Sequence, residues 1–332
     1  VTGVQTCALP ILTYGDTAQT LGATTNSGLT ITYLSQTPTV CSVTSGTVQP
    51  LRAGTCTIQA YNTGNGSWDA DTTARSFTIT KAPLTITASS TSLSYGDAVP
   101  TITASYTGLQ YGEAAAAGLV SMPVCRTAYT VSSAAGTTPA TTCSGASSNK
   151  YTLSYTAGTV TVGQRAVTIT ASSHTVAFGA SPPTVTFSLA NMANGETSTA
   201  FSTQPTCTTT YLDGDVPGTA RTTACTGAVA ANYAFSYVGG TVTINPKVVT
   251  VTASSDTRVY GDPSIPAPTP SYTGWENGDT IANLTTAATC TTTYTVTSTV
   301  PSGAGTSCSG AVAPNYSFSY VNGSIKIGRA HV

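Results

Sequence analysis

The sequence has few charged side chains. Only 7% of its 332 residues are charged, against about 25% in an ordinary soluble domain. The basic residues form no cluster, so the chain lacks the electrostatic footprint of a nucleic-acid-binding protein. Its longest apolar runs, such as residues 114–120, are far shorter than the roughly 20 residues that a membrane-spanning helix needs. A regular alternation of apolar residues argues against disorder.

Histidine is also scarce, with only His174 and His331 in the chain. A histidine-based triad or zinc site would therefore depend on very few side chains, and the cysteines show no Cys-x-x-Cys spacing. We interpret His174 as a solvated side chain at a strand end. We expect no enzymatic activity, no metal and no cofactor.

Three segments repeat one another at a spacing of 82 to 83 residues. They open with LTITASSTSLSYGDAVP at Leu84, VTITASSHTVAFGASPP at Val167 and VTVTASSDTRVYGDPSIP at Val249. They close on similar stretches that contain Tyr155, Tyr237 and Tyr320. A fixed period of this kind indicates a tandem array of like modules.

Each repeat contains two cysteines 18 residues apart, and residues 12–81 contain another pair 15 apart. One pair in each module predicts one disulfide in each module and an oxidising compartment. Closing a loop of about 18 residues stabilises a domain by roughly 3 kcal/mol in the chain-entropy model. The predicted pairs are Cys41 with Cys56, Cys125 with Cys143, Cys207 with Cys225, and Cys290 with Cys308.

Apolar residues alternate with Thr or Ser in stretches such as Leu84-Thr-Ile-Thr-Ala. Period two with β-branched residues is typical of half-buried strands. We therefore expect a mainly β, linear array of four small antiparallel modules with at most a short helical turn each. The junctions are brief, as in Lys81-Ala82-Pro83 and Asn245-Pro246-Lys247, which favours a semi-rigid rod over flexibly tethered domains.

Residues 82–326 resemble the MBG domains (YGX type) of bacterial surface proteins. The resemblance rests on the Thr-Ile-Thr-Ala opening, the Tyr-Gly-Asp turn, a mid-module Gly-Glu or Gly-Asp, and the closing Asn-Tyr pattern. The second repeat departs from it with Phe178-Gly179-Ala180. Residues 12–81 resemble a bacterial immunoglobulin-like repeat. The resemblance implies an immunoglobulin-like sandwich first, followed by three modules that are β-grasp-like or immunoglobulin-like.

Both ends of the chain break the pattern. Residues 1–11 and 327–332 back-translate to opposite strands of one oligonucleotide that resembles a sequencing-library adapter. We therefore interpret both segments, including Cys7, as non-native. The remaining chain is expected to divide into modules 1 to 4, at residues 12–81, 82–163, 164–246 and 247–326.

Two groups of side chains are candidate ligand sites. Six loop carboxylates could bind calcium, but we expect them to cap turns instead. They are Asp69, Asp71, Asp97, Asp213, Asp215 and Asp262. Aromatic rings that could stack on sugars are expected instead to pack in the core: Trp68, Trp275, Tyr155, Tyr237 and Tyr320.

These observations predict a structural stalk or spacer in a secreted or cell-surface bacterial adhesin-like protein. The alternatives are glycan- or protein-binding modules of an adhesin, or accessory domains of a secreted hydrolase. The expected partners are neighbouring modules of the same chain, and a glycan or host-surface ligand is a further candidate. We expect a monomer that binds no nucleic acid and has no membrane span in this part.

The cysteine pairing predicts a mass difference. Secreted protein covering residues 12–326 should be eight hydrogens lighter before reduction than after it, because its eight cysteines form four disulfides. Intact-mass spectrometry measures this directly. An unchanged mass on reduction would contradict the pairing.

Overall fold

The computed structural model describes residues 11–299 and 303–329, together with the backbone of residues 4–5. Cys7 and residues 330–332, which the sequence interpretation treats as non-native, lie outside the described residues. The chain divides into two compact units, Val1–Arg165 and Ala166–Val332. Modules 1 and 2 fall in the first unit, and modules 3 and 4, apart from Gln164 and Arg165, fall in the second.

Module 1 contains a four-stranded and a three-stranded sheet, in the orders β2-β9-β8-β5 and β3-β7-β6, and β1 pairs with β4. Alternate residues of β8 are buried, as the period-two pattern predicts. Strand β1 (Val4–Gln5) precedes the module. The strands of the module are β2 (Leu12–Thr13), β3 (Gln19–Thr20), β4 (Thr24–Thr25), β5 (Thr32–Ser35), β6 (Cys41–Thr44), β7 (Thr47–Pro50), β8 (Gly54–Asn62) and β9 (Asp71–Thr80).

Module 2 also consists of two sheets, ordered β12-β10-β15 and β11-β16-β14-β13. Ile86 and Ala88 of the first sheet share a core with Cys143 of the second, so the sheets pack face to face. The elements are β10 (Ala82–Ala88), β11 (Thr91–Ser94), β12 (Ala104–Thr107), α1 (Ala115–Gly118), β13 (Val124–Thr127), β14 (Ala140–Ser144), β15 (Tyr151–Thr156) and β16 (Gly158–Gly163).

Module 3 repeats this order with sheets β19-β17-β22 and β18-β23-β21-β20. A single 3-10 turn at Ser198–Ala200 stands where module 2 has α1. The strands are β17 (Arg165–Ala171), β18 (His174–Ala177), β19 (Phe187–Ala190), β20 (Thr206–Thr209), β21 (Arg221–Thr226), β22 (Tyr233–Val238) and β23 (Gly240–Asn245).

Module 4 has sheets β26-β24-β29 and β25-β30-β28-β27 and a 3-10 turn at Ile281–Asn283. The strands are β24 (Lys247–Ala253), β25 (Asp256–Val259), β26 (Pro270–Thr273), β27 (Thr289–Thr292), β28 (Ala304–Ser309), β29 (Tyr316–Val321) and β30 (Gly323–Gly328). The nearly all-β tandem architecture expected from the sequence is confirmed. Two of the C-terminal residues that we interpret as non-native, 327 and 328, lie in β30.

The repeats contain parallel pairings that the sequence did not lead us to expect. β10 runs parallel to β15 and β24 to β29, and β11, β18 and β25 run parallel to β16, β23 and β30. Parallel strands cannot be joined by a tight turn. The intervening hairpin and loops therefore act as the crossover connection that brings the end of each module back beside its start.

All four predicted cysteine pairs are joined as disulfides. In the repeats the two cysteines lie directly opposite one another on antiparallel strands, as Cys125 and Cys143 do, with Cα atoms 4.0 Å apart. The Cys41–Cys56 bond instead links β6 and β8, which belong to different sheets. Each disulfide thus connects strands of its own module.

Candidate functional site: the aromatic turn between modules

Every module has a tight turn that carries an aromatic residue followed by glycine. In module 1 the Asp16 amide donates to the Thr13 carbonyl over 3.0 Å, and Gly15 has φ +102°. This is a type II turn, which needs a positive φ at its third residue and so favours glycine there. The amide of Tyr14 donates to the carbonyl of Thr80, at the end of the neighbouring strand β9, over 2.9 Å. We call Tyr14, Tyr95, Phe178 and Tyr260 the turn aromatics.

A buried tyrosine supports this turn from within each repeat. Tyr129 donates to the carbonyl of Asp97 over 2.7 Å, and the same bond joins Tyr211 to Ala180 and Tyr294 to Asp262. Sequence analysis missed these residues. They could have been found, because each lies four positions after the first cysteine of its repeat.

In the first unit, the turn aromatic of module 1 is buried against module 2. The Tyr14 ring is only 3% exposed and meets the Tyr151 ring edge to face, with centroids 5.3 Å apart. The hydroxyls of Tyr14 and Tyr151 both donate to Oε1 of Glu113, over 3.1 and 2.5 Å. We call Tyr151 and Glu113 the acceptor pair of module 2, because together they receive the turn aromatic.

A lysine completes the charge balance of this contact. Lys150 Nζ lies 2.7 Å from Glu113 Oε2 and 5.2 Å from the centre of the Tyr14 ring. Burial raises the pKa of Glu113, but the Lys150 ion pair and the two tyrosine hydroxyls outweigh it, and the net pKa is lowered. Burial, followed by the bond to Glu113, raises the pKa of both Tyr14 and Tyr151. The tyrosines therefore stay protonated as donors to a carboxylate.

Backbone and side-chain contacts surround the buried ring. The Tyr111 hydroxyl donates to the Asp16 carbonyl over 2.8 Å and accepts from Gln49 over 2.6 Å. A Cβ on Gly15 would lie 2.5 Å from the Gln110 side chain. Glycine thus serves twice at this position, once for its positive φ and once for the close approach of module 2.

The second unit has an apolar form of the same contact. Phe178 of module 3 is 4% exposed and meets the Tyr316 ring of module 4 edge to face at 5.4 Å. Trp275 packs on Tyr316 at 4.7 Å. Tyr316 donates to Asp279 over 2.7 Å, and burial together with this bond raises the pKa of Tyr316 to about 12. Tyr316 and Asp279 are therefore the acceptor pair of module 4.

Phe178 has no hydroxyl to offer the acceptor pair. A cavity of about 250 Å³ lies beside it, lined in part by Val216, Asp279 and Tyr316. A Cβ on Gly179 would lie 2.5 Å from Cβ of Glu276, and Glu276 pairs with Lys247 at 2.6 Å. Both contacts thus share the close approach at glycine and a nearby lysine–glutamate pair. Only the contact of Tyr14 also has a hydrogen bond from the turn aromatic to the carboxylate of the acceptor pair.

The candidate calcium ligands take part in local contacts. Asp97 accepts from the Ser94 amide over 2.9 Å and pairs with Arg165. Asp215 accepts from the Leu212 amide over 2.7 Å and pairs with Arg221. Asp262 accepts from the Ser264 amide over 2.9 Å. Across the described residues, no group of three or more His, Cys, Asp or Glu side chains is arranged to hold a metal ion.

The remaining candidates are scattered. Asp71 accepts from the Thr72 amide over 2.8 Å, and Asp69 and Asp213 are exposed. His174, the first residue of β18, is only partly exposed, and its Nε2 lies 2.7 Å from the Ser172 hydroxyl. Among residues 11–299 and 303–329, no helix is both long and apolar enough to cross a membrane.

The aromatic candidates differ from expectation. The prediction that Tyr155 and Tyr237 fill the core is wrong, because they are 42% and 39% exposed. Their hydroxyls accept hydrogen bonds from the backbone amides of Ala146 and Ala228 at the surface. Tyr320, which is partly exposed, accepts one from the amide of Ala311. Tyr151 and its counterparts Tyr233 and Tyr316, four residues earlier, are the buried rings. Trp68 is 39% exposed, whereas Trp275 belongs to the contact between modules 3 and 4.

Fold and contacts together define a class of protein: a tandem array of β modules, each with an internal disulfide, in which an aromatic turn packs into a following module. The chain belongs to the MBG domain (YGX type) family, whose model matches residues 84–161, 167–243 and 249–326. The letters Y and G of "YGX" match the turn aromatic and the glycine after it in modules 2 and 4. Module 3 has phenylalanine in place of the tyrosine.

The other comparisons are less informative. No curated protein matches the chain. Among solved structures, it is similar to the Drosophila N-cadherin EC1-4 crystal structure at 8% identity and a TM-score of 0.20, covering 95% of this chain and 96% of that one.

Glu113 predicts a pH dependence. Its folded-state pKa is lowered, so its ionised form stabilises the folded chain above the unfolded pKa of about 4.3, and this stability is lost as pH falls through the folded pKa. In denaturant titrations at pH 7, Glu113→Gln should cost about 1–3 kcal/mol. The cost should shrink as pH falls through the folded-state pKa of Glu113.

The matched control is Asp69→Asn, which changes an exposed carboxylate. It should leave the free energy of unfolding nearly unchanged at both pH values. A cost of Glu113→Gln that is the same at pH 7 and pH 3 would contradict the assigned role of the carboxylate.

Proposed function

We propose that this chain is a spacer segment of a secreted or cell-surface bacterial adhesin-like protein. Its task would be to hold a binding or catalytic domain encoded elsewhere at a distance from the surface. The observation that carries the proposal is the burial of Tyr14 against Tyr151 and Glu113 of the following module. A spacer needs joints that resist bending, and an aromatic ring buried across the joint supplies that resistance.

Short connections support the same function. Only Lys81 separates β9 from β10, and only Pro246 separates β23 from β24. A one-residue connection has little of the freedom of a flexible linker, and proline restricts its backbone further. A bending motion at these joints would have to expose the buried turn aromatic.

The disulfides support placement outside the cytoplasm, since such bonds persist in oxidising compartments and are rare in reducing ones. We further propose that module 1 is an immunoglobulin-like repeat, that the chain is monomeric, and that it has no catalytic activity of its own. We also propose that residues 1–11 and 327–332 derive from a sequencing adapter and are not part of the native protein.

Glycan binding by the modules is the second candidate, and one feature of module 1 favours it. An open groove of about 550 Å³ is lined by apolar and hydrogen-bonding side chains that include Leu34, Tyr61, Asn62 and Asp71. Aromatic rings flanked by polar groups are suited to sugars. A carbohydrate-array signal that Tyr61→Ala abolishes would favour this function over a spacer.

Small-angle scattering tests the spacer proposal. A compact globule of 332 residues has a radius of gyration of about 20 Å. A spacer should give a clearly larger value that does not change with protein concentration. A concentration-independent value near that of the globule would exclude a spacer, and a value that rises with concentration would contradict the monomer.

A further inference from the structure

The turn aromatic of module 4 has no partner like those in the two contacts described above. Tyr260 is 49% exposed, whereas Tyr14 and Phe178 are 3% and 4% exposed. Val259, the residue before it, is 53% exposed. Together Val259 and Tyr260 present an apolar surface at the turn where modules 1 and 3 bury their turn aromatics.

This turn already has the geometry of the occupied ones. The Tyr260 amide donates to the Gly328 carbonyl over 2.9 Å, and the Asp262 amide donates to the Val259 carbonyl over 3.2 Å. Gly261 has φ +81°, close to the +79° of Gly179. Tyr294 supports the turn from below through its bond to the Asp262 carbonyl. A surface held in its bound shape loses little conformational freedom on docking.

The glycine marks the face that is left open. A Cβ on Gly15 or Gly179 would lie 2.5 Å from a side chain of the following module, whereas a Cβ on Gly261 would meet nothing within 4 Å. The space that Gln110 and Glu276 fill at the two occupied turns is therefore empty at Gly261.

We propose that the Tyr260 turn is a docking surface for one further module of the MBG type, joined to this one by a connection of one or two residues. The module would receive the Tyr260 ring on its acceptor pair, a buried tyrosine with a glutamate or aspartate. All three repeats contain such a pair, since Tyr233 also donates to Glu196 over 2.5 Å. The Tyr260 hydroxyl would donate to the carboxylate as Tyr14 does to Glu113.

The occupant must be joined to the chain because the contact is small. One turn and one ring fall well short of the roughly 1,000 Å² that a stable complex between separate proteins buries. A short connection raises the effective concentration to the millimolar range, at which a weak contact becomes occupied. The inference goes beyond a spacer role, since docking could occur in a chain of any function.

Tyrosine nitration of an extended chain tests the proposal. One arm appends directly after Gly328 a second copy of residues 246–328 that carries Tyr260→Phe, so that nitration of the original Tyr260 is read from a peptide of its own. The other arm appends a copy of residues 164–245. Tetranitromethane nitration is followed site by site by peptide mass spectrometry, and intact mass shows whether the fifth disulfide has formed. Nitration of Tyr260 should fall about tenfold in the extended chains, in line with a drop in exposure from 49% to the 3–4% of its counterparts. Tyr237, 39% exposed, is the internal reference and should react at the same rate throughout.

Gly261→Asn supplies the matched control. Asparagine tolerates a positive φ, but its side chain would enter the space that a docked module needs. In the extended chain it should restore nitration of Tyr260, and in the original chain it should change nothing. Tyr260 that reacts as fast as before in both extended chains would overturn the proposal, and so would protection that Gly261→Asn does not relieve. Scattering tests the spacer function separately, so the two ideas can fail independently.

Discussion

The burial of one aromatic ring across each described module boundary is the contact on which the array depends. At Tyr14 and Phe178 the ring leaves its own module at a type II turn and packs on a tyrosine of the following one. The other parts of the site serve this contact. Glycine permits the turn and the close approach, and a carboxylate holds the receiving ring. At the Phe178 turn, Tyr211 of the same module also holds the turn through its bond to the Ala180 carbonyl. Because the ring belongs to one module and its environment to the next, neither module has a complete site alone.

Small modules make such contacts valuable. A domain of about 80 residues buries a modest share of its surface and is marginally stable. Each repeat adds a disulfide between opposed strands and pairs its first strand with one near its end. Few charges are available in this chain, and one lysine–glutamate pair lies at each described contact. Two of the few charged pairs thus lie where modules meet, and threonine and serine cover much of the outer faces of the strands.

The sequence predicted what depends on local pattern and on repetition. Period-two alternation gave the strands, and the cysteine spacing gave the disulfide partners. It did not reveal the parallel pairings, because these join strands about 70 residues apart whose direction no local signal encodes. It also misassigned the closing tyrosines. Tyr151 and Tyr155 both lie in β15, but Tyr151 packs with Leu84 and Leu119 of its own module and with Tyr14 of module 1, whereas Tyr155 lies at the surface. The role of the turn aromatic was missed because its partner lies in another module.

A double-mutant cycle between Tyr14→Phe and Glu113→Gln tests most directly whether modules are joined through this ring. The two residues belong to different modules and meet through one hydrogen bond. The free energy of unfolding, measured for both single variants and the double variant, should show a coupling of at least about 0.5 kcal/mol. Tyr260→Phe with Glu113→Gln is the reference pair, because the Tyr260 ring is exposed, and it should be additive. Additivity of the Tyr14 and Glu113 changes within about 0.3 kcal/mol would contradict the account.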